Sequence, residues 1–492
     1  MPTTYKEILN LKCNLTPSQL SVLDIPNKNT VPIKDLLDRK LRFSDKGSEI
    51  GSINYISHSS RYFIRTKALQ ADCFLPFLNN ETAITIRPQV FKGFNLREWD
   101  LIISKDANIG EAVILDQDYP NFMMSGALYR LPITKNKLYL LAFLKHRHFR
   151  KQLDILVPKG STIRHAKTLF LDCKIPFPNQ NDATEIIKYV ELLTGSIINK
   201  EKEIRRKDQL IFELIEKELL ENQRENKFKY EGLKFNELSL NSRIDSGYYC
   251  YNYKQKQFLI SNYKNGVGSI DKWNFKIKKG QDLAVNKIGK KTIYSDSPKK
   301  NFYTLIKPTN FSEFGTIKKF EYLGNSKKLA FLQSGDIVFS TEGTIGKCVL
   351  FDNPKGDKWI TNIHGLVLKK KDHNVKESAF VSCFLRFLKN WGIFDYISVG
   401  GQGGSLTKKY WKDIMIANFL GQKRHEILSL YYNPTIYPNG LNLNNFLEKD
   451  QQWNQQAGIL EIDKSIKLIK EHLNKVLDKI VNDEEVEINF NF

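Results

Sequence analysis

The feature that most constrains this chain is an internal repeat. The segments REWDLIISKDANIGEAVIL (97–115) and QSGDIVFSTEGTIGKCVLF (333–351) each predict a strand, a polar turn with a glycine, and a second strand. Asp100 then aligns with Asp336, and Gly110 with Gly346, at an offset of 236 in both cases. Further matches follow in the same order at offsets of 239 to 241: Gly126 with Gly365, Gly160 with Gly401, Asp172 with Asp413, Ile175 with Ile416 and Glu185 with Glu426. This order predicts two homologous halves; the alternative is a chance recurrence of glycine-bearing turns.

A long amphipathic helix is predicted at the end of each half. The first begins at Asp182, which with Glu185 is typical of a capping box, and runs to about residue 223. Its heptad pattern is imperfect, with apolar Val190, Leu193, Ile197, Ile204, Ile211 and Leu214 interrupted by Lys200 and Lys207. The second helix is more regular, with Ile459, Ile462, Ile466, Ile469, Leu473, Val476 and Ile480. Two such seams predict helices that pack against each other, and the alternative is that each helix lies on its own half.

These patterns divide the chain into two globular domains, each followed by a helix. The predicted domains are 1–181 and 224–420, and the helical regions are 182–223 and 421–483. The segment 433–458 has no counterpart in the first half and predicts an insertion that interrupts the second helix near Tyr432. The acidic tail, 484–492, is expected to fray. Short alternating strands outnumber helical stretches before each long helix, so each half is predicted to be an α/β domain with a mostly antiparallel sheet.

The charge of the chain favours a polyanionic partner. There are 75 Lys and Arg against 54 Asp and Glu, which gives a net charge of +21. Lys and Arg near phosphates release condensed counterions, so this surplus favours nucleic acid, with an anionic membrane or a merely basic surface as alternatives. The 6 cysteines are scattered without a C-x-x-C pair, and no signal peptide or membrane span is evident. We therefore expect a cytoplasmic protein without metal or disulfides.

Several fragments imitate catalytic motifs but lack essential residues. EGTIGKC, which starts at Glu342, lacks the first glycine of a phosphate-binding loop and has Cys348 in place of the magnesium-binding hydroxyl. NPTIY, at Asn433, lacks the second proline of an adenine methyltransferase loop. The HRH run, His146 to His148, is interpreted as a basic solvated turn rather than a metal site. The sequence therefore predicts no catalytic centre and no cofactor in this chain.

Two polar loops in each half are the candidate binding sites. Their residue types can hydrogen-bond base edges or phosphates, and glycines beside them allow close approach of the backbone; the alternative is that they are ordinary solvated turns. The candidates are Lys105, Asn108, Ser161, Thr162, Arg164 and His165 in the first half, and Ser340, Thr341, Glu342, Thr344, Lys347, Gln402, Ser405, Thr407, Lys408 and Lys409 in the second.

Three segments of the second half resemble the target recognition domains of specificity subunits from type I restriction–modification systems. These are SRIDSGYY (242–249), GDIVFSTEGTIGKCVLF (335–351) and GGSLTKKYWKDIMIANF (403–419). The resemblance extends over nearly the whole chain in the order domain, helix, domain, helix. The first half matches less closely, because ISKDANIGEA replaces the glycine-rich turn.

The resemblance implies a protein that reads DNA and performs no chemistry itself. Each domain would read one half of a split double-stranded site, and the two helices would form an antiparallel coiled coil that sets the spacing. Adenine methyltransferase subunits, which bind S-adenosylmethionine, would dock on the helices, and a restriction–translocase subunit is a further partner. The alternatives are the recognition subunit of a type IIB or other defence complex, or a structural RNA-binding protein.

Overall fold

The computed structural model of the chain describes residues 25–157, 166–233, 235–241, 243–290, 292–325, 327–353, 356–400 and 404–492. It divides into two compact units. The first unit is Met1–Glu203 with Ile436–Gln455 and Lys464–Phe492, and the second is Ile204–Thr435 with Gln456–Asp463. Both units mix helix and sheet, and most of their strand pairs are antiparallel.

Short strands and flanking helices make up the first unit. Its strands are β1 (Thr30–Pro32), β2 (Tyr62–Ile64), β3 (Ala83–Thr85), β4 (Leu101–Ser104), β5 (Ala112–Ile114), β6 (Phe122–Met124), β7 (Leu128–Leu131) and β8 (Lys174–Pro176). Its helices are α1 (Ile33–Leu36), α2 (Lys137–Lys145), α3 (Arg147–Leu156) and the start of α4 (Ala183–Glu221). The sheets have the orders β3-β2-β6, β5-β4-β7 and β1-β8. Strand β4 is buried throughout, as expected for an apolar run between Asp100 and Lys105.

The second unit contains a longer set of elements. Its strands are β9 (Val267–Ser269), β10 (Phe275–Lys279), β11 (Ile293–Ser295), β12 (Tyr303–Ile306), β13 (Glu321–Gly324), β14 (Ile337–Ser340), β15 (Cys348–Leu350), β16 (Trp359–Thr361), β17 (Gly365–Lys370) and β18 (Met415–Ala417). Its helices are α5 (Phe235–Asn241), α6 (Ser246–Tyr249), α7 (Tyr251–Ser261), α8 (Val285–Ile288), α9 (Val375–Asn390), α10 (Ile393–Ile397) and α11 (Gly421–Tyr431). Helices α12 (Phe446–Gln456) and α13 (Ile459–Asn482) follow along the chain.

The two units repeat the same strand connections. In the first unit β4 pairs antiparallel with β5 and β7, and β2 pairs parallel with β6. In the second unit β14 pairs antiparallel with β15 and β17, and β12 pairs parallel with β16. The closing pairs also correspond, since β8 pairs with β1 and β18 pairs with β9. The repeat inferred from the sequence is therefore also a repeat of topology.

One of the sequence alignments is wrong by two residues. Ser104 lies opposite Leu128, whereas Ser340 lies opposite Gly365. Leu128, and not Gly126, is therefore the counterpart of Gly365. The two glycines also lie against different neighbours. A Cβ at Gly365 would overlap the hydroxyl of Thr361, whereas one at Gly126 would overlap the side chain of Glu49.

The apolar seams of both long helices are buried. All seven seam residues of α13 and five of those in α4 are buried, while Leu214 is only half-buried. Within the first unit, Asn179 bonds to Asp483 at 2.7 Å, Tyr189 to His472 at 2.6 Å and Glu201 to Lys470 at 3.0 Å. In these three pairs the residue number on the second segment falls as the residue number on the first rises. The two segments of the first unit therefore run antiparallel.

The insertion and the tail are more ordered than the sequence suggested. The second helical region is interrupted after Tyr431, as predicted, and the insertion contains a helix of its own, α12. The prediction that the tail frays is wrong: Val486 and Phe490 are buried, and the Phe490 ring lies 4.5 Å from that of Phe446. Apolar residues between the acidic ones pack onto the first unit and outweigh the tail's charge.

The interpretation of the HRH run as a solvated turn is also wrong. His146 and His148 are buried, and only Arg147 is largely exposed. His146 caps α3 by accepting a hydrogen bond from the backbone of His148, and its Nε2 lies 3.2 Å from Asp478. Burial lowers the pKa of His146 to about 4 although Asp478 opposes the change, so the ring is neutral at pH 7.

Two further observations concern the described part of the chain. Among the described residues, Cys73, Cys173, Cys250, Cys348 and Cys383 form no disulfide. Within the same residues, no helix combines the length and the apolar character needed to cross a membrane.

Candidate nucleic-acid interface

Three loops of the second unit meet at one end of strand β14. The turn after β14 carries Thr341, whose backbone carbonyl accepts a hydrogen bond from Leu406 at 3.0 Å. Its backbone N–H donates to the carbonyl of His364, and Glu342 forms a bridge with Ser405. We call residues 341–345, 362–364 and 404–409 the second loop cluster. The two loops that the sequence singled out separately are therefore neighbours.

The first unit brings the equivalent loops together in the same way. The N–H of Lys105 donates to the carbonyl of Ala127 at 2.9 Å, and the carbonyl of Lys105 accepts from Ala166 at 2.9 Å. We call residues 105–109, 125–127 and Ala166 the first loop cluster. Both clusters rest on the same backbone bonds, although few of their side chains are alike.

A buried serine closes the hairpin turn in each unit. The hydroxyl of Ser104 donates to the carbonyl of Asp106 at 2.7 Å, and that of Ser340 donates to the carbonyl of Glu342 at 3.2 Å. The serine carbonyl in turn accepts from Gly110 at 2.7 Å in the first unit and from Gly346 at 3.1 Å in the second. Each turn therefore satisfies its own backbone and leaves its tip available to a ligand.

A pair of equivalent glycines brings a further backbone segment against each cluster. The N–H of Gly47 donates to Leu128, and that of Gly280 donates to Gly365, the counterpart of Leu128. A Cβ at Gly47 would overlap the carbonyl of Ser125, and one at Gly280 would overlap that of Asn362. Only glycine allows this backbone approach, and the sequence comparison missed the pair because the neighbouring residues differ.

The tip of the second loop cluster presents polar and basic side chains to solvent. Thr407, Lys408 and Lys409 are exposed, and Thr344 and Ser405 are half-buried. Glu342 and His364 are each about half exposed, at 51% and 50% of the side chain, with Oε2 and Nδ1 2.6 Å apart. These groups can donate to and accept from a nucleic acid.

Three sequence-predicted residues of this cluster have structural partners instead. Ser340 is fully buried in the turn, and Thr341 is 8% exposed. Lys347 lies 2.6 Å from Glu313, which also contacts Lys389. Burial raises the pKa of Glu313, but Lys389 and Lys347 outweigh it and leave the pKa below its usual range. We therefore leave these three residues out of the proposed contact surface.

The first loop cluster presents a smaller set of described candidates. Asn108 is exposed at its tip, whereas the Lys105 side chain is paired with Asp106 and both are mostly covered. The remaining candidates of the second loops, Ser161, Thr162, Arg164, His165 and Gln402, lie outside the residues that the structure describes.

Residues 243–249 of the segment SRIDSGYY connect the opening of the second domain to its closing segment. The Arg243 guanidinium lies 4.5 Å from the Tyr248 ring and 4.7 Å from that of Tyr410, and it bonds to Asp245 at 2.5 Å. The Tyr248 hydroxyl donates to Asp413 at 3.0 Å. This cluster positions the turn 408–413 beside the loop cluster, so these residues serve the site indirectly.

His364 and its neighbour Ile363 were not predicted from the sequence. Ile363 is 45% exposed in the turn between β16 and β17. The turn lies immediately before Gly365, and this position could have marked it as part of the site. Because Gly365 was aligned with Gly126 in place of Leu128, the turn was not recognised. Among the described residues, no group of three or more His, Cys, Asp or Glu is arranged to hold a metal ion.

No protein-family model matches the chain, and no curated protein matches its sequence. Solved structures do match. The S subunit of a type I restriction–modification system from M. genitalium matches 93% of this chain and 98% of its own, at 14% identity and a TM-score of 0.38. The HsdS subunit from Thermoanaerobacter tengcongensis matches 95% and 96%, at 11% identity and a TM-score of 0.26.

A third matching structure comes from work on the complex assembly and conformational transition of the type I R-M system. It matches 94% of this chain and 99% of its own, at 10% identity and a TM-score of 0.28. All three structures come from type I restriction–modification systems, which is the family that the motifs resemble.

Proposed function

We propose that this chain is the DNA-recognition subunit of a type I restriction–modification complex and that each unit reads one half of a bipartite site. The observation that carries the proposal is the pair of loop clusters, which share one set of backbone bonds and differ in their exposed side chains. Two surfaces of equal geometry and different chemistry suit a DNA site whose two halves differ in sequence.

The chemistry of the second loop cluster supports contact with DNA. Lys408 and Lys409 are exposed beside Ser405 and Thr407, and the chain carries a net charge of +21. Lysines can neutralise phosphates, and short hydroxyl side chains can reach base edges in the major groove. In this proposal the lysines contribute affinity and the tip residues contribute sequence preference.

The long helices α4 and α13 would serve as the spacer and the docking site for partners. The antiparallel contacts from Asn179 to Glu201 in the first unit support a coiled coil between them. Adenine methyltransferase subunits would dock there and bind S-adenosylmethionine, and a restriction–translocase subunit would complete the complex. This chain would then perform no catalysis itself.

The proposal is tested by selection from a library of double-stranded DNA with a randomised segment, using the full chain with its methyltransferase subunit. We expect enrichment of two short motifs separated by a fixed spacer. The variant Lys408→Gln/Lys409→Gln should bind the enriched DNA more weakly, because each lysine that faces a phosphate releases counterions on binding. Its salt dependence should fall by about one counterion for each phosphate that is no longer neutralised.

The matched control is Lys371→Gln/Lys376→Gln. These exposed lysines have the same charge but lie beyond the opposite end of β17 from the loop cluster. Equal salt slopes for the two double variants would remove the loop cluster from the interface. Enrichment of no DNA sequence, or a preference for RNA over DNA, would contradict the proposed function as a whole.

A further inference from the structure

The exposed pair of Glu342 and His364 has a geometry that suits reading a base. His364 Nδ1 lies 2.6 Å from Glu342 Oε2, and both side chains are about half exposed at the tip of the second loop cluster. Building on the proposed function, we propose that Glu342, positioned by His364, selects a cytosine in the half-site read by the second unit.

A carboxylate on a DNA-binding surface needs a specific reason, because it repels the phosphates. That repulsion is offset where the carboxylate accepts a hydrogen bond from a base edge. In the major groove cytosine presents the N4 amino donor, whereas guanine and thymine present acceptors at the corresponding edge. Adenine presents N6 beside the acceptor N7, whose lone pair would repel the negative carboxylate. Cytosine is therefore the base that this carboxylate prefers.

His364 fixes the orientation of this carboxylate. With the proton on Nδ1, the imidazole donates to Oε2 and restricts the rotamers of Glu342. Within the described residues Oε1 has no hydrogen-bond partner, so it can accept from a base. Restricting the side chain before binding also lowers the entropy lost when DNA is bound.

The equivalent position of the first unit is arranged differently. Asp106 corresponds to Glu342, because its backbone carbonyl likewise accepts from the buried serine of the turn. Its carboxylate is paired with Lys105, and these side chains are only 13% and 14% exposed. The same backbone position thus carries an acid in both units, but only the second unit presents it to solvent. We infer that the carboxylate reads a base in one half-site only.

The test applies the DNA selection to Glu342→Gln in the full chain with its methyltransferase subunit. Glutamine both donates and accepts, and it pairs with the N6 and N7 of adenine. We expect one position of one half-site to change from cytosine to adenine, with a roughly ten-fold loss of preference for cytosine. The charge-matched control, Glu225→Gln, removes an exposed carboxylate outside the cluster and should leave the motif unchanged.

Variants of His364 separate positioning from general stability. His364→Ala should relax the preference at that same position without a new preference, because Glu342 loses its fixed orientation. His364→Asn keeps a donor near the place of Nδ1 and should restore most of the preference for cytosine. A two-part motif that Glu342→Gln leaves unchanged would overturn this inference alone. Failure of the wild-type chain to enrich any DNA would overturn the proposed function and the inference together.

Discussion

Gly343 and Gly346 lie in the same turn of the second unit but constrain it differently. Both have positive φ, at 68° and 87°. A Cβ at Gly343 would meet open space, whereas one at Gly346 would lie 2.6 Å from Phe394 Cδ2 and 2.9 Å from Lys389 Cγ. The first unit agrees with this, because Ala107 occupies the position of Gly343 with φ of 59°, while Gly110 retains the glycine of Gly346. Only the second of these positions requires glycine for packing.

This contrast predicts unequal costs for two alanine substitutions. Gly343→Ala should lower the free energy of unfolding by about 1 kcal/mol, because an L-residue is strained in the left-handed region. Gly346→Ala should cost roughly 2–4 kcal/mol, because overpacking against Phe394 adds to that strain. Urea unfolding followed by tryptophan fluorescence would compare the two variants. Equal shifts of the midpoint would show that packing at Gly346 does not stabilise the turn.

At this scale the sequence predicts residue types better than their roles. Glu342, Thr407, Lys408 and Lys409 were predicted as surface residues of polar loops, and they are exposed. Ser340 has the same polar character, but its hydroxyl is used inside the turn, and the sequence does not distinguish the two uses. His364 was not predicted because its turn is brought to the cluster by the pairing of β14 with β17, which joins segments that are distant in the sequence.

Helix α12 is fastened to α4 by a buried polar network. Lys200 Nζ lies 2.7 Å from Asp450 Oδ1 and 2.7 Å from Asn454 Oδ1, and 4.5 Å from the centre of the Trp453 ring. Asp450 also accepts from Ser196 at 2.8 Å and from Tyr437 at 2.6 Å. Burial lowers the pKa of Lys200 to about 8 although Asp450 opposes the change, so the lysine is mostly charged at pH 7. The network joins the insertion to the first unit.

Breaking this network from one side should destabilise the first unit. Asp450→Asn removes the negative charge and leaves Lys200 buried without its counterion, so we expect a loss of roughly 3 kcal/mol in the free energy of unfolding. The double variant Lys200→Met/Asp450→Leu removes both charges and should recover most of that loss. Urea unfolding would measure both variants.

The control for this prediction is Glu448→Gln, which removes an exposed acid from the same helix. It should change the free energy of unfolding by less than about 0.5 kcal/mol. An Asp450→Asn variant no less stable than this control would show that the buried pair contributes little.

Elements with a regular period were predictable, and their exceptions were not. The first helix was expected over 182–223, and the structure has it at Ala183–Glu221, because the heptad pattern extends over most of that length. The pattern marks Lys200 as a defect in the seam, although it is the residue that binds the insertion. The heptad period predicts which face of the helix is buried. It does not predict the role of a charged residue on that face, because that role depends on a partner that is distant in the sequence.

At the scale of the whole molecule, the repeat was the strongest prediction that the sequence allowed. It rested on short turns whose glycines are required by backbone geometry, such as Gly110 and Gly346, and these survive when other residues change. The equivalence of Gly47 and Gly280 could not be found in this way, because the need for glycine there arises from the approach of a strand distant in sequence. Constraints that arise within a turn could be predicted from the sequence, whereas contacts between distant segments could not.

The proposed spacer role of the helices predicts how the DNA site depends on their length. Inserting one heptad in register into both helices, after Ile204 and at the level of Ile469, adds about 10 Å of helix. Because B-DNA rises about 3.4 Å per base pair, the preferred spacer should lengthen by about three base pairs. The half-site sequences should stay the same. Selection from the randomised library would measure both.

A matched control inserts seven residues into the exposed turn at Gly440, outside both helices, and should leave the spacer unchanged. The added base pairs also rotate one half-site by roughly 100° about the DNA axis, since B-DNA has about ten base pairs per turn. Weaker binding by the heptad variant is therefore expected. An active heptad variant with the original spacer would show that the helices do not set the distance.

The last part of the first unit, Lys464–Phe492, comes after the whole of the second unit in the sequence. Asn27 bonds to the backbone of Ile480 and Val481, and Phe490 packs against Tyr189. The last residue of the second unit is Asp463. During synthesis on a ribosome the second unit can therefore fold while the first still waits for its closing helix and tail. We therefore expect the half that is translated first to complete its folding last, with apolar surfaces that stay uncovered until those distant residues emerge.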